Sequence, residues 1–126
     1  MIHLNQEIKN RATSPGGTNM KMYKTQLTVG LNDKLTEKQE VKTSDAKMII
    51  ADTLLKEFGL FAFTMFTCEG VYTMASTGNT VFENSIRVEI ATEDAIDTPA
   101  ICEVLKHKLN QESIMVEFTE KEIDFL

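Results

Sequence analysis

Few of the reactive side chains in this 126-residue sequence are grouped in a way that suits catalysis. Cys102 and His107 are five positions apart in a segment with helical periodicity, whereas residues that share a helix face are three or four apart. That spacing does not direct a thiolate and an imidazole at one zinc ion, nor pair them as nucleophile and base. The sequence therefore predicts no catalytic residue, no metal site and no cofactor.

Two other groups have simple structural interpretations. Glu93, Asp94 and Asp97 precede a predicted helix start, where carboxylates favour the positive end of the helix dipole, and their spacing is not that of a calcium loop. Gly78-Asn79 suits a tight turn, because a phosphate-binding glycine loop requires a strand followed by a helix.

Arg87 and Glu89 are the charged residues of most interest. Arg87 is the only arginine after Arg11, and it alternates with Ile86 and Val88 on a predicted strand. If the apolar residues face the helices, Arg87 points to the open face of the sheet beside Glu89. It would there form a salt bridge, pair across an interface or hold an anion, and the salt bridge is the simplest of these.

The polar hairpin between the second and third predicted strands is the other candidate site, because such loops often carry binding function, although many hairpins only connect strands. The predicted ligand- or partner-binding residues are Tyr72, Ser76, Thr77, Asn79, Phe82, Asn84, Arg87 and Glu89.

The elements that position these residues follow from periodicity. Residues 23–31, YKTQLTVGL, alternate as a half-buried strand does. Thr43-Ser44-Asp45 offers cap residues for a helix that ends at Phe58 before Gly59. The apolar stripe predicted for this helix is Met48, Ala51, Leu55 and Phe58, supplemented by Ile49.

The second half of the chain continues the pattern. LFAFTMFTC, residues 60–68, predicts a strand that extends to a turn at residues 76–79 and returns over residues 81–91. Thr98-Pro99 predicts the start of a second helix that ends at Asn110, and residues 113–119 predict the last strand. The buried positions predicted for these two elements are Ile101, Val104, Leu105, Leu109, Ile114, Val116 and Phe118.

The resulting order, β-α-β-β-α-β, together with right-handed crossovers, predicts an α+β ferredoxin-like fold. In that fold both helices cover one face of a four-stranded antiparallel sheet. We expect residues 23–126 to form this single domain.

The second strand carries apolar residues on both faces, Phe61, Phe63 and Met65 on one and Leu60, Ala62 and Phe66 on the other. A strand with one solvated face alternates apolar and polar residues instead. We therefore expect a homo-oligomer, a dimer or trimer, that covers the open sheet face. The alternative is cover by the C-terminal tail through Ile123 and Phe125.

Residues 1–22 have loop composition and are expected to be a flexible leader or tail. Pro15-Gly16-Gly17 can be encoded as CCA-GGA-GGN, which contains AGGAGG, the bacterial ribosome-binding sequence, upstream of the Met20 codon. One hypothesis is therefore a bacterial or phage gene whose translation starts at Met20, with residues 1–19 as a translated leader. An ordinary disordered tail is the other.

Composition limits the partners. The net charge is −6, and residues 60–126 hold twelve acidic and four basic side chains. Such a surface repels phosphate backbones, so we expect no nucleic-acid partner, although it would suit a basic protein. With no apolar run of roughly 18 to 20 residues and no secretory signal, we expect no membrane association and a cytoplasmic location with reduced Cys68 and Cys102.

Three segments, KTQLTVGL, GLFAFTMFTCEGVY and LNQESIMVEF, resemble a family of small bacterial ferredoxin-like proteins without an assigned function. The most distinctive step is Gln111-Glu112-Ser113. Members typically carry arginine and tryptophan where this chain has residues 69–72, so the resemblance supports no anion site there. More distantly, the hairpin is similar to the signal-binding loop of PII- and CutA-like trimers, which implies ligand binding by architecture alone.

These observations lead to two hypotheses. The first is a non-enzymatic oligomeric protein that binds a small ligand or a protein partner, such as a phage-encoded inhibitor. The alternative is a small dimeric ferredoxin-like enzyme whose active cleft lies between sheet and helices and uses Arg87 or Glu89.

Overall fold

The computed structural model describes residues 20–126. Residues 1–19, the predicted translated leader ahead of Met20, lie outside this range. The strands are β1 (Met20–Gly30), β2 (Thr64–Thr73), β3 (Thr80–Thr92) and β4 (Met115–Ile123). The helices are α1 (Thr43–Asp52), which continues into one π-helical turn (Thr53–Glu57), and α2 (Thr98–Leu109).

The four strands form one antiparallel sheet in the order β2-β3-β1-β4. Alternate residues of β1 and β3 face the two helices and form the core with them. This arrangement confirms the predicted ferredoxin-like fold. The fully or almost fully buried core residues are Leu27, Val29, Leu31, Ala46, Ile50, Leu54, Ile86, Val88, Ile90, Ile101, Leu105 and Leu109. Each large side chain among them contributes on the order of 2 kcal/mol to the free energy of folding.

Strand β1 begins at Met20, so residues 20–22 belong to the sheet and not to the leader in which the sequence analysis placed them. Met20 and Met22 are 2% and 1% exposed and pack with Ala91 and Ile123. They occupy even-numbered positions, whereas Leu27 and Val29 occupy odd-numbered ones, so the two pairs lie on opposite faces. This switch of face hid the start of the strand from a periodicity argument.

Helix α1 buries a different stripe from the expected one. Met48 is 61% exposed and Leu55 is 37% exposed, so the prediction for these two residues is wrong. The buried face consists of Ala46, Ile50, Thr53 and Leu54. The segment has apolar residues on overlapping i, i+4 series, and the π-helical turn rotates its last residues, so helical period alone did not select the face.

The helix starts also differ in their caps. Helix α1 has no side-chain cap, and its first turn is closed by a hydrogen bond from the Ala46 N–H to the Lys42 carbonyl. In α2 the cap is Asp97, whose Oδ1 accepts from the Ala100 N–H at 3.2 Å, one residue before the predicted Thr98. The predicted stop signals, Gly59 and Asn110, are confirmed, since both adopt the left-handed conformation with φ of 63° and 49°.

The segment of residues 60–63 is not part of β2, which corrects the predicted strand start at Leu60. Leu60 donates its N–H to the Leu54 carbonyl at 2.9 Å, which continues the helix end. Leu60 and Phe63 pack against the core, whereas Phe61 is 64% exposed. The inference that this segment presents two apolar sheet faces therefore does not apply to residues 60–63.

Strand β4 starts at Met115, two residues later than predicted, and extends through Ile123 into the expected tail. Val116 and Phe118 lie on the helix side of the sheet but remain 41% and 53% exposed, because neither helix covers this edge. Phe118 instead stacks on Tyr23, with ring centroids 5.7 Å apart.

Candidate functional site

A cavity of about 730 Å³ lies at one end of the open sheet face, where β1 ends and the β2–β3 hairpin begins. We call it the hairpin pocket. Strand residues form its floor, and two connections form its walls, residues 32–37 after β1 and residues 111–113 before β4. The floor residues that share the open face are Thr28, Gly30, Gly70, Tyr72, Val81, Glu83, Ser85 and Met115.

Glu83 is the charged residue at the centre of this floor. On β3 it lies directly opposite Gly70 of β2, and its Oε2 accepts a hydrogen bond from the Asn32 N–H at 2.9 Å. On the other side, a Cβ added to Gly30 would lie only 2.5 Å from Oε1. The carboxylate thus occupies space that Gly30 leaves open.

Tyr72 brings an aromatic ring to the same pocket. It lies two residues after Gly70 on β2, on the same face as Glu83, and is 46% exposed. A ring face and a carboxylate that line one cavity suit a cationic ligand, since both attract positive charge.

The wall formed by residues 32–37 is tied to the α2–β4 connection. The Gln111 Nε2 donates to the Asn32 carbonyl at 2.8 Å, and the Asn110 Nδ2 donates to the Asp33 Oδ2 at 2.8 Å. The Asn110 carbonyl accepts from the Lys34 N–H at 3.0 Å. These bonds hold the wall in one position relative to the strands.

The lining is predominantly acidic. Asp33, Glu37, Glu83 and Glu112 contribute carboxylates, against the single cation Lys34. The Asn110 side-chain amide, followed by the N–H groups of residues 35 and 36, lowers the pKa of Asp33 by hydrogen bonding to its charged form. A negative lining at neutral pH favours a cation over an anion.

Of the hairpin residues predicted from sequence, the structure brings only Tyr72 into the hairpin pocket. Ser76, Thr77 and Asn79 are exposed at the hairpin turn, outside the lining. Phe82 and Asn84 lie on the opposite face of β3 from Glu83, and the Asn84 Nδ2 donates to Gln39 Oε1 at 2.8 Å.

Arg87 and Glu89 point to the open face, as predicted, but lie further along β3 than the pocket. The Arg87 guanidinium carbon lies 5.9 Å from the centroid of the Phe66 ring, and Glu89 forms a 3.2 Å salt bridge with Lys24. Because both point away from the helices, neither belongs to a cleft between sheet and helices, as the enzyme hypothesis had required.

Sequence reasoning missed Glu83, Gly30 and Gly70. Glu83 lies between two residues that were selected, Phe82 and Asn84, and strand alternation places it on the opposite face from both. The available signal was Gly30, a glycine inside β1 on the same open face of the sheet as Glu83. A glycine inside a strand often marks a site where another group approaches closely.

A second cavity, of about 580 Å³, lies between α2 and the exposed side of β4 and is lined in part by Pro99, Cys102, Val116 and Phe118. Burial raises the pKa of the Cys102 thiol, which keeps it protonated at neutral pH. Across residues 20–126, no three metal-ligating side chains form a cluster. In the same range, neither helix has the length and apolar content needed to cross a bilayer.

Among the comparisons with known proteins, only the one with solved structures found similar proteins, and that similarity is one of fold. No protein-family model and no curated protein matches the sequence, so the family resemblance stays a prediction. A phage SAM lyase in complex with S-methyl-5'-thioadenosine superimposes with a TM-score of 0.58 and 24% identity, covering 87% of this chain and 92% of that one. A phage SAM lyase in the apo state gives a TM-score of 0.59 and 22% identity, covering 90% and 95%.

These structures contradict the expectation of a non-enzymatic binding protein or inhibitor, which was preferred to the enzyme alternative, because both are structures of an enzyme with this fold. The chain is similar in fold, over most of its length, to phage SAM lyases.

Proposed function

We propose that this chain is a lyase that cleaves S-adenosylmethionine (SAM) and releases S-methyl-5'-thioadenosine, with the hairpin pocket as its active site. The single observation that carries the proposal is the Glu83 carboxylate beside Tyr72 in an acidic cavity of a SAM-lyase-like fold. SAM carries two cationic groups, a sulfonium and an ammonium, and suits such a lining.

The bond that breaks follows from the product. S-methyl-5'-thioadenosine retains the methyl and adenosyl groups, so cleavage occurs between sulfur and the Cγ of the aminocarboxypropyl group. The electron pair of that bond moves to sulfur and cancels its positive charge. The carboxylate of the same substrate attacks Cγ and closes a five-membered lactone, so the step balances without water and without a proton from the protein.

This chemistry assigns Glu83 to the ammonium group. A carboxylate next to sulfur would stabilise the sulfonium of the substrate more than the transition state, in which that charge is disappearing. The ammonium charge does not change during the reaction, so an ion pair there binds substrate and transition state alike. Holding this end of the aminocarboxypropyl chain also limits its rotation and brings the substrate carboxylate towards Cγ.

The test is incubation of the purified protein with SAM, with chromatography for S-methyl-5'-thioadenosine and NMR to distinguish a lactone from an unsaturated amino acid. We expect Glu83→Gln to lower kcat/KM about tenfold or more, since a hydrogen bond to a charged group contributes about 1.5–3 kcal/mol. Glu69→Gln is the matched control, because Glu69 lies on the adjacent strand one residue from Gly70 and faces the other side of the sheet. A wild-type protein that releases no S-methyl-5'-thioadenosine would exclude the proposal.

We also infer that the chain associates through its open sheet face. Phe66, Tyr72 and Met115 share that face and are 37%, 46% and 55% exposed, which supports cover by a second copy. The Lys24–Glu89 pair on the same face predicts that association depends on salt. Sedimentation velocity at low and high salt tests this inference, and a monomer at micromolar concentration in both conditions would contradict it.

The origin of the gene and the location of the protein are also consistent with the proposed function. The phage or bacterial gene expected from Pro15-Gly16-Gly17 and Met20 agrees with the phage origin of the two similar structures. A cytoplasmic location remains a prediction from the sequence, and it would place the chain with its proposed substrate.

A further inference from the structure

The carboxyl group of Glu83 lies where a side chain of residue 30 would be. A Cβ added to Gly30 would be 2.5 Å from Oε1, 2.6 Å from Cδ and 2.6 Å from Oε2 of Glu83. Gly30 is not among the residues with positive φ, so any residue could adopt its backbone conformation. The glycine therefore provides room for the carboxylate and not a special turn.

A second contact fixes the direction of the carboxylate. The Asn32 N–H donates to Glu83 Oε2 at 2.9 Å, and the carbonyl of Asn32 accepts from Gln111 Nε2 at 2.8 Å. The same Nε2 lies 3.3 Å from the carbonyl of Leu109, and Gln111 is only 7% exposed. The buried side-chain amide of Gln111 thus fixes Asn32, and the backbone of Asn32 in turn fixes the Glu83 carboxylate.

We propose that Gly30, the Asn32 backbone and Gln111 form a seat that holds the Glu83 carboxylate at the hairpin pocket for the ammonium group of an amino-acid-bearing nucleoside sulfonium. Gly30 and Gln111 are positioning residues in this arrangement, because they act through Glu83 and Asn32. The inference rests on the proposed function. It also gives a role to Gln111, the first residue of the distinctive Gln111-Glu112-Ser113 sequence. The proposed reaction by itself assigns no role to this residue.

The substitution Gly30→Ala tests the position of the Glu83 carboxylate without disturbing the fold of the protein. The three atoms nearest to the added methyl group all belong to the flexible end of Glu83, so the carboxylate swings away while the backbone keeps its conformation. Gly70→Ala is the matched comparison. Its Cβ would meet nothing closer than 3.8 Å, although Gly70 lines the same pocket opposite Glu83.

The experiment measures binding by titration calorimetry of two unreactive ligands, S-adenosylhomocysteine and its deaminated analogue, which lacks only the ammonium group. We expect the wild type to prefer S-adenosylhomocysteine about tenfold, as an ion-paired hydrogen bond predicts. Gly30→Ala and Glu83→Gln should reduce this preference to about one, while Gly70→Ala retains it. Gln111→Met should reduce the preference in part, with thermal melting to confirm folding.

The outcomes are distinguishable. If the wild type binds neither ligand and releases no S-methyl-5'-thioadenosine, the proposed function is wrong. If it cleaves SAM but binds both ligands equally, or if Gly30→Ala keeps the preference, the seat is wrong and the proposed function stands. Should Gln111→Met fail to fold, the contrast between Gly30→Ala and Gly70→Ala decides.

Discussion

Asn32 donates its backbone N–H to the Oε2 of Glu83 at 2.9 Å, although the two residues are 51 positions apart in the chain. The bond joins the loop after β1 to the hairpin strand β3. Both residues reach it because the backbone of β1 pairs with that of β3, with Gly30 opposite Ser85 and the Leu31 N–H bonded to the Asn84 carbonyl at 2.9 Å. The candidate site therefore exists only when the sheet has formed.

The role of the Tyr72 ring can be separated from that of its hydroxyl group. We expect Tyr72→Ala to raise the KM for SAM about two- to fivefold, since a cation–π contact at an exposed position contributes about 0.5–1 kcal/mol. Tyr72→Phe keeps the ring and should leave KM close to the wild-type value. Steady-state kinetics on the three proteins provide the test. An equal loss in both variants would assign the interaction to the hydroxyl group.

The buried face of α1 can be tested by stability. Leu54 is fully buried and Met48 is 61% exposed, although helical period permits either to face the core. Leu54→Ala should lower the free energy of unfolding by about 2–5 kcal/mol, because it removes buried methyl groups and leaves a cavity. Met48→Ala should change it by less than about 0.5 kcal/mol. Urea denaturation followed by circular dichroism measures both, and similar losses would contradict the observed helix orientation.

Asp33 predicts how stability changes in acid. Its folded pKa lies below the ordinary value of 3.8, mainly through the hydrogen bond from Asn110, so its stabilising effect is present above that value. The effect is lost as pH falls from 3.8 through the folded pKa, because protonation weakens these hydrogen bonds. Asp33→Asn should therefore be less stable than the wild type near neutral pH, with the difference shrinking in acid.

Urea unfolding midpoints across this pH range test the Asp33 prediction. The other carboxylates are common to both proteins, so their effects largely cancel in the difference. A difference that stays constant down to the acid limit would show that the Asp33 charge does not stabilise the loop.

Local signals were sufficient for the order of elements. Alternation in β1 and β3 and the stop signals at Gly59 and Asn110 depend on neighbouring residues alone, and the predicted β-α-β-β-α-β order is confirmed. Choices between equivalent faces were not local. Helix α1 offers two apolar stripes, and the sheet onto which it packs selects the one that contains Leu54.

The candidate site shows the same division. The sequence by itself determined the fold and selected Tyr72, because strand period and turn residues are read within short segments. Only the tertiary structure identified Glu83, since its importance depends on Gly30 and Asn32 from another part of the chain. Strand register decides which side chains meet across a sheet, and register is a property of the assembled strands that no single segment contains.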